Sequence, residues 1–143
     1  MKTDIIQKTI LINPEGKMLL LRRSDSDNRR PLQWDFPGGV LDEGETLEQG
    51  TLREILEESG LVAESPKVIF AKAEVSRWSK EGQAREANVV RVYYTAKCDS
   101  SDVSLSYEHS EFAWVDMNQA IEMLEYPRHK EVVRYLVENK VDL

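Results

Sequence analysis

Short stretches rich in apolar residues recur along the chain between polar turn segments, which is the pattern of strands that pack against a core. Two such stretches flank the turn sequence Asn13-Pro14-Glu15-Gly16 and predict a hairpin. The pattern predicts six strands, at residues 4–12, 17–23, 34–36, 68–76, 87–97 and 112–115.

Two polar segments between these strands are predicted to be loops. The segment from Ser24 to Pro31, which is rich in Asp, Asn and Arg, leads from the second strand to Trp34-Asp35-Phe36. A charged segment between the strands at 68–76 and 87–97 is the other predicted loop, and it holds Trp78, Lys80 and Arg85.

A helix is predicted just after Glu45. Thr46 and Gln49 match a capping box, and Gly60 suits the end of the helix. On a helical wheel, one apolar face is predicted to pack against a sheet. Its members are Leu52, Ile55 and Leu56.

Two further helices are predicted at the end of the chain. Asp116 is a suitable cap for a short helix that reaches about Leu124, and Pro127 is a suitable first residue for the next helix. The last helix carries an apolar stripe of Val132, Val133, Leu136 and Val137. Strands interleaved with helices favour an α/β architecture.

Length and composition fit one compact enzyme domain spanning residues 1–143. The chain has 143 residues, 41% of them hydrophobic, and a core of this size buries about two thirds of the unfolded surface. We therefore expect no second domain.

The charge and the cysteine content narrow the class of function. A net charge of −7 argues against general nucleic-acid binding, because phosphate backbones are held by basic patches. The single cysteine excludes an internal disulfide and a multi-cysteine zinc site. We see no secretory signal and no apolar run of membrane length, so we expect a cytoplasmic protein that does not bind membranes.

Three carboxylates mark the predicted helix at 46–60 as a candidate metal site. Glu54, Glu57 and Glu58 are spaced i, i+3 and i+4, which places them within roughly a third of the helix circumference. Like charges at this spacing repel, so a cation between them would offset the cost. Oxygen ligands favour Mg²⁺, with Mn²⁺ also possible. The alternative is a solvated acidic face; an EF-hand is excluded because its ligands lie in a loop.

Two neighbours of the carboxylates fit the same interpretation. Gly50 falls on the acidic face, where we expect the absence of a side chain to leave room for a metal and a pyrophosphate. Arg53 is one turn before Glu57 and can pair with Glu57 or Glu45, which predicts that it orients a carboxylate.

The segment 39–61, GVLDEGETLEQGTLREILEESGL, resembles without departure the Nudix box of the Nudix hydrolase (MutT-like) family, Gx5Ex7REUxEExGU with U aliphatic. The similarity continues more loosely through LLLRR, WDFPGG and EFAWVD, and so covers most of the chain. The positions that fill the box are Gly39, Glu45, Arg53, Glu54, Ile55, Glu57, Glu58, Gly60 and Leu61.

The resemblance implies an α/β/α sandwich with a mixed central sheet and a set of site residues. It implies that Glu57 and Glu58 are metal ligands, that Glu54 is a ligand or the general base, and that the Gly39 carbonyl completes the metal shell. Family members differ in whether the base lies in the box helix or in a later loop. Both Glu108 and Glu111 are available for such a role, and Glu111 is our predicted extra ligand.

Substrate contacts are expected from residues outside the box helix. Arg23 and Gly38 are predicted to contact phosphate, Arg23 by its resemblance to the phosphate-contacting arginine of MutT-like enzymes. Trp34, Phe36 and Trp78 are candidates for stacking on a base, with a core or rim position as the alternative. Arg128 and His129 are placed where MutT-like proteins often carry a base-reading side chain, with a solvated helix start as the alternative.

The resemblance implies hydrolysis of a diphosphate bond in a small nucleotide. Signatures of ADP-ribose, diadenosine polyphosphate and coenzyme A hydrolases are absent, which leaves a nucleoside triphosphate, ordinary or oxidised, as the predicted substrate of a metal-dependent pyrophosphohydrolase. ADP-ribose, a dinucleoside polyphosphate or a capped RNA end stays open as the substrate, and so does a non-catalytic nucleotide-binding module. We expect a monomer or a homodimer.

Overall fold

The computed structural model describes residues 1–143 and consists of seven strands and three helices. In chain order the strands are β1 (Thr3–Ile12), β2 (Met18–Arg23), β3 (Trp34–Asp35), β4 (Gly38–Val40), β5 (Ala63–Lys80), β6 (Gln83–Cys98) and β7 (His109–Val115). The helices are α1 (Leu47–Ser59), α2 (Met117–Met123) and α3 (Pro127–Glu138). None of the three helices has the length and apolar content needed to span a membrane.

All seven strands belong to one mixed sheet. Its main path runs β3-β2-β1-β6-β5, with β4 also paired to β1 and β7 also paired to β2. The β1–β6 pair is parallel, and the other pairs are antiparallel. On the side of β1 that faces away from β6, the strand pairs first with β4, through Ile6–Lys8, and then with β2, at Ile12. The sheet therefore divides into two branches beside β4.

Alternation along β1 and β2 divides the buried side chains between two cores. Ile10, Ile12 and Leu20 pack on the face that α2 and α3 cover. Leu11, Leu19 and Leu21 pack on the opposite face with Ile55 of α1. Successive strand residues point to opposite faces, so a doubly covered sheet needs apolar residues at consecutive positions. The predicted α/β/α sandwich with a mixed sheet is confirmed.

Most of the predicted elements are present, and the largest difference lies in the β5–β6 hairpin. The segment expected to be a loop is strand up to Lys80 and again from Gln83, so Trp78, Lys80 and Arg85 are strand residues. This end of the hairpin is exposed on both faces, which allows polar residues at successive positions and removes the alternation that marks a half-buried strand.

The caps of the helices agree with the sequence prediction. Thr46 and Gln49 form the capping box of α1, and Gly60 closes the helix in the left-handed conformation with φ of 73°. Asp116 caps α2 in the same way, and Pro127 is the first residue of α3. These signals depend only on residues within a few positions of each helix end.

The apolar face predicted for α1 is partly wrong. Ile55 is fully buried, whereas 51% of Leu56 is exposed, and the buried face of the helix is rotated toward Glu58 and Ser59. The interpretation of Gly50 is also wrong, because a Cβ there would lie 2.7 Å from Gln7 Oε1 and 2.7 Å from Leu41 Cδ1. Close packing of α1 on the sheet, not room for a ligand, explains that glycine.

Truncation of the two adjacent residues Ile55 and Leu56 is expected to have different effects on stability. Ile55→Ala should lower the free energy of unfolding by about 2–5 kcal/mol, because it opens a cavity in the core beneath α1. Leu56→Ala, its matched control at an exposed position, should cost less than about 1 kcal/mol. Urea denaturation of both variants measures the difference, and equal losses would contradict the observed orientation of α1.

Candidate active site

A cleft of about 480 Å³ opens where α1, the turn before β4 and the loop at 24–30 meet. One wall is acidic and consists of Glu54, Glu57 and Glu58 of α1. The facing wall is basic, and its cationic residues are Lys8, Arg23, Arg29, Arg30 and Arg91. The cleft therefore offers carboxylate oxygens for a cation and guanidinium groups for an anion.

The glycines of the PGG turn bring the backbone close to the acidic wall. The Gly38 N–H donates a hydrogen bond of 3.1 Å to Glu58 Oε1. At Gly38 φ is +148°, and a Cβ there would clash with the carbonyl oxygen of Gln7. A Cβ on Gly39 would lie 2.8 Å from Glu54 Oε1. Only glycine at these two positions allows the turn and the carboxylates to pack this closely at the bottom of the cleft.

Glu58 is the most buried of the three glutamates, with 3% of its surface exposed. Burial raises the pKa of its carboxyl well above the usual range, and the nearby Glu54 carboxylate adds to the effect, while Lys8 and the Gly38 N–H oppose it. A positive charge in the cleft would stabilise the ionised form of Glu58, so the site is suited to bind a cation.

Arg53 links Glu45 to two of the glutamates that line the cleft. Its Nε donates to Glu45 Oε2 at 2.6 Å and its Nη2 donates to Glu45 Oε1 at 2.9 Å. Its Nη1 donates to Glu54 at 3.0 Å and to Glu57 at 3.2 Å. The hydrogen bonds from Arg53 hold the pKa of Glu45 at about 2. Arg53 thus contacts both predicted partners and restricts the rotamers of the glutamates.

The three glutamates line one cleft but do not form a ready ligand cage. No three Asp, Glu, His or Cys side chains of the chain are close enough together to hold a metal ion. Arg53 binds Glu54 and Glu57, and the Gly38 N–H binds Glu58, whose carboxyl lies next to that of Glu54. The three carboxylates share one cleft, and their convergence on a cation stays a prediction. The donor set, all oxygen and with one carboxyl of raised pKa, fits a hard divalent cation after side-chain rotation.

Asp35, which lies between Trp34 and Phe36, is the ionic centre of the basic wall. It is 1% exposed and contacts Lys8 Nζ at 2.9 Å, Arg23 Nη1 at 2.7 Å and His129 Nε2 at 2.6 Å. Burial alone would raise the pKa of Asp35, but Lys8, His129 and Arg23 hold it well below the usual range. The sequence analysis did not identify this residue or Lys8, although a charged residue inside an apolar strand is a signal for both.

The structure places some of the predicted substrate residues in the cleft and others outside it. Arg23 and Gly38 line the cleft. Trp34 is half-buried and packs against the core under α2 and α3. Trp78 lines a neighbouring cleft, where the Arg29 guanidinium lies 4.3 Å from its ring centroid.

The structure buries His129 in the core, which contradicts both of its predicted roles, and it places Arg128 half-buried at the start of α3. His129 is 1% exposed, and its Nδ1 lies 2.8 Å from the Tyr93 hydroxyl in the core, so it is neither solvated nor open to a substrate. Burial lowers the pKa of this imidazole to about 4. Arg128 is bound by Glu74 and Glu131. Its guanidinium is therefore engaged by carboxylates of the protein.

The prediction of Glu111 as an extra ligand is not supported by its position. Glu111 is paired with Arg22 at 2.7 Å on the neighbouring strand, its side chain is 54% exposed, and it does not line the cleft. Glu108 does line the cleft. The bulge between Arg22 and Arg23 shifts the register of β7 here, which a reading of strand pattern does not reveal.

Comparison with known proteins places this arrangement in a family. The family model of the NUDIX domain matches residues 7–136. The nucleoside triphosphatase NudI of Escherichia coli O17:K52:H18 is 32% identical over an alignment of 117 residues, and the match covers 76% of this chain and 82% of that protein. The MutT protein from Methanosarcina mazei Go1 has a similar structure, with a TM-score of 0.74 and 28% identity over 98% of this chain and 97% of that one.

A third comparison concerns the fold. The NUDIX domain of Shewanella oneidensis NrtR, solved as a complex with ADP ribose, has a TM-score of 0.78 at 22% identity and covers 99% of this chain and 90% of that one. The matched family model, the related sequences and the shared fold agree with the box at 39–61. The chain belongs to the NUDIX domain family and is a Nudix hydrolase, an enzyme that acts on pyrophosphate bonds.

Proposed function

We propose that the protein is a metal-dependent pyrophosphohydrolase that cleaves a nucleoside triphosphate, ordinary or oxidised, to a nucleoside monophosphate and pyrophosphate. The observation that carries this proposal is the pair of facing walls in one cleft, glutamates of α1 on one side and arginines on the other. A polyphosphate is long enough and charged enough to contact both walls at once. The similarity to NudI, which is named a nucleoside triphosphatase, supports the same substrate class.

Glu57, Glu58 and the Gly39 carbonyl are the groups that would hold the divalent ion, with Mg²⁺ as our choice and Mn²⁺ as the alternative. When bound there, such an ion supplies Lewis-acid polarisation and offsets negative charge on the phosphate oxygens. Glu54 is our proposed general base, which removes a proton from the attacking water. Arg53 orients Glu54 and Glu57 through the hydrogen bonds described above.

The phosphate chain of the substrate would contact the opposite wall. Arg23 faces the cleft and is held by Asp35 and Asp27 at 2.7 Å each. Ion pairs to two carboxylates restrict the guanidinium to one orientation, which lowers the entropic cost of binding an anion. We therefore propose Arg23 and the Gly38 turn as the phosphate contacts closest to the metal ligands.

A substrate panel tests the proposal. The purified protein is incubated with Mg²⁺ and with nucleoside triphosphates, 8-oxo nucleoside triphosphates, ADP-ribose, dinucleoside polyphosphates and a capped RNA end, and products are separated by anion-exchange chromatography. We expect the highest kcat/KM for a triphosphate, with a monophosphate and pyrophosphate as products. A higher kcat/KM for ADP-ribose, a dinucleoside polyphosphate or the capped RNA end would overturn the proposed substrate class.

A matched pair of variants tests whether Glu108 or Glu111 supplies a further carboxylate to the active site. Glu108→Gln is expected to lower kcat/KM about tenfold or more, because Glu108 lines the cleft. Glu111→Gln is expected to change kcat/KM less than about twofold, because its exposed ion pair with Arg22 lies outside the cleft. Initial rates at saturating Mg²⁺ measure both, and the reverse ranking would restore Glu111 as the candidate ligand.

A further inference from the structure

The basic wall contains two arginines whose guanidinium groups form no ion pair with a carboxylate. Arg29 and Arg30 form no ion pair, and their guanidinium groups lie instead over aromatic rings, 4.3 Å from the centroid of Trp78 and 4.2 Å from that of Tyr126. In a protein of net charge −7, unpaired cations side by side in a cleft indicate a place for an anion.

Arg91 adds a buried donor without a partner at the same place. Its side chain is 4% exposed, and its guanidinium lies 4.9 Å from the centroid of the Tyr126 ring that Arg30 also contacts. Arg91 Nη1 is buried and has no hydrogen-bond acceptor, while Nε is 3.4 Å from Glu74. A buried, charged donor without a hydrogen-bond acceptor lowers the stability of the fold. An acceptor supplied by a ligand would therefore stabilise this arrangement.

These three arginines lie where two clefts meet. Arg29, Arg30 and Arg91 line the cleft of the glutamates and also a second, larger cleft of about 1230 Å³. The second cleft continues past Trp78 and Tyr126. A ligand extending from the glutamates into the second cleft would therefore pass the three guanidinium groups.

We propose that Arg29, Arg30 and Arg91 form a second phosphate subsite, which binds a phosphoryl group beyond the diphosphate held at the glutamates and so selects substrates with three or more consecutive phosphates. This inference rests on the proposed function for its catalytic consequence. The subsite itself is defined by the arginines and can be tested without catalysis.

A phosphate fits this cluster better than an uncharged nucleobase. Burial lowers the pKa of Arg30, and the neighbouring positive charges of Arg23 and Arg91 lower it further, against the opposing effect of Asp35. An anion relieves that repulsion, and a phosphate also offers paired oxygens that match the fork of a guanidinium. The rings of Trp78 and Tyr126 contact these guanidinium groups and line the second cleft.

Binding of tripolyphosphate in EDTA tests the subsite separately from turnover. Isothermal titration calorimetry of the metal-free protein should show binding that Arg30→Gln weakens about tenfold, because one charge-assisted contact is lost. Arg134→Gln is the matched control, since Arg134 is exposed on α3 and lines neither cleft. Absence of tripolyphosphate binding, or equal affinity in wild type and Arg30→Gln, would overturn the subsite whether or not any nucleotide is hydrolysed.

Steady-state kinetics test its role in selection. Arg30→Gln is expected to raise KM for nucleoside triphosphates about tenfold with little change in kcat, and to change kcat/KM for ADP-ribose less than about twofold. Arg30→Lys should recover part of the loss, since it keeps the charge without the fork. Equal losses for triphosphate and diphosphate substrates, or a loss confined to kcat, would overturn selection by phosphate number. If no substrate is turned over, the proposed function fails while the calorimetric result still decides the subsite.

Discussion

Replacing Glu57 with glutamine is expected to lower kcat/KM for the best substrate about a thousandfold while the free energy of unfolding stays within about 0.5 kcal/mol of wild type. Glutamine keeps the size of the side chain and one carbonyl oxygen, but it loses the negative charge that a hard cation prefers. The Glu57 side chain is 58% exposed, and its contact within the protein is an ion pair with Arg53, so the fold does not depend on it.

The measurement compares initial rates at several Mg²⁺ concentrations with urea denaturation of the same preparation. Glu48→Gln is the matched control, because it removes the same charge from the first turn of α1, away from the cleft. Glu58→Gln is expected to lose activity to the same extent as Glu57→Gln. Activity of Glu57→Gln within twofold of wild type would show that Glu57 does not hold the metal.

The largest single effect on stability is expected at Asp35. Asp35→Asn should lower the free energy of unfolding by about 3–5 kcal/mol at pH 7, because it leaves Lys8 and Arg23 partly or fully buried without their shared carboxylate. Asparagine has nearly the same shape, so the loss reports charge and not packing. Urea denaturation of wild type and variant measures it.

The pH dependence gives an independent check on the Asp35 result. The folded-state pKa of Asp35 is depressed, so its contribution is fully present above the unfolded value of about 3.9 and declines as pH falls below it toward the folded pKa. The difference between wild type and Asp35→Asn should therefore be constant near neutral pH and shrink in acid. Asp4→Asn, at an exposed pair with Lys2, is the control and should cost less than about 1 kcal/mol. A cost at Asp35 no greater than this control would contradict the buried ion-pair network.

The features that could be predicted from sequence are those that depend on near neighbours along the chain. The capping box at Thr46 and the helix cap at Asp116 were predicted because each forms between residues three positions apart. The two-sided core was predictable from runs such as Leu19–Leu21, in which both faces of a strand are apolar. The box at 39–61 also fixed which helix carries the acidic wall.

The features that could not be predicted depend on contacts between distant segments. The ion pairs of Asp35 with Lys8 and Arg23 and its contact with His129 join β1, β2, β3 and α3, and pattern within any one of these elements does not reveal that they meet. The basic wall likewise combines the loop at 24–30 with Arg91 of β6. The prediction for His129 was wrong because a polar residue at a helix start is usually solvated. Here the imidazole is buried in the core, where it contacts Asp35 and the Tyr93 hydroxyl. Gln7 of β1 binds Leu47 and Thr51 of α1 and leaves no room for a Cβ at Gly50, and helical spacing alone does not reveal these contacts.

Glu58 is the residue of the acidic wall at which protonation and metal binding are expected to compete. A buried carboxyl with a raised pKa next to Glu54 resists ionisation until a cation approaches, and the Gly38 N–H already holds one of its oxygens in the cleft. Metal binding and ionisation of this group are therefore expected to be coupled, which links the box helix to the glycine turn that faces it.

The most direct test of the account follows the phosphorus products of one reaction with and without magnesium. Wild-type protein is mixed with a nucleoside triphosphate in EDTA, the reaction is monitored by ³¹P NMR, and excess Mg²⁺ is then added. The account predicts no hydrolysis in EDTA, followed by the appearance of nucleoside monophosphate and pyrophosphate in equal amounts once Mg²⁺ is present. Hydrolysis that proceeds equally in EDTA, or a nucleoside triphosphate, ADP-ribose and dinucleoside polyphosphate that all stay intact with Mg²⁺, would contradict a cation-dependent pyrophosphate site on α1.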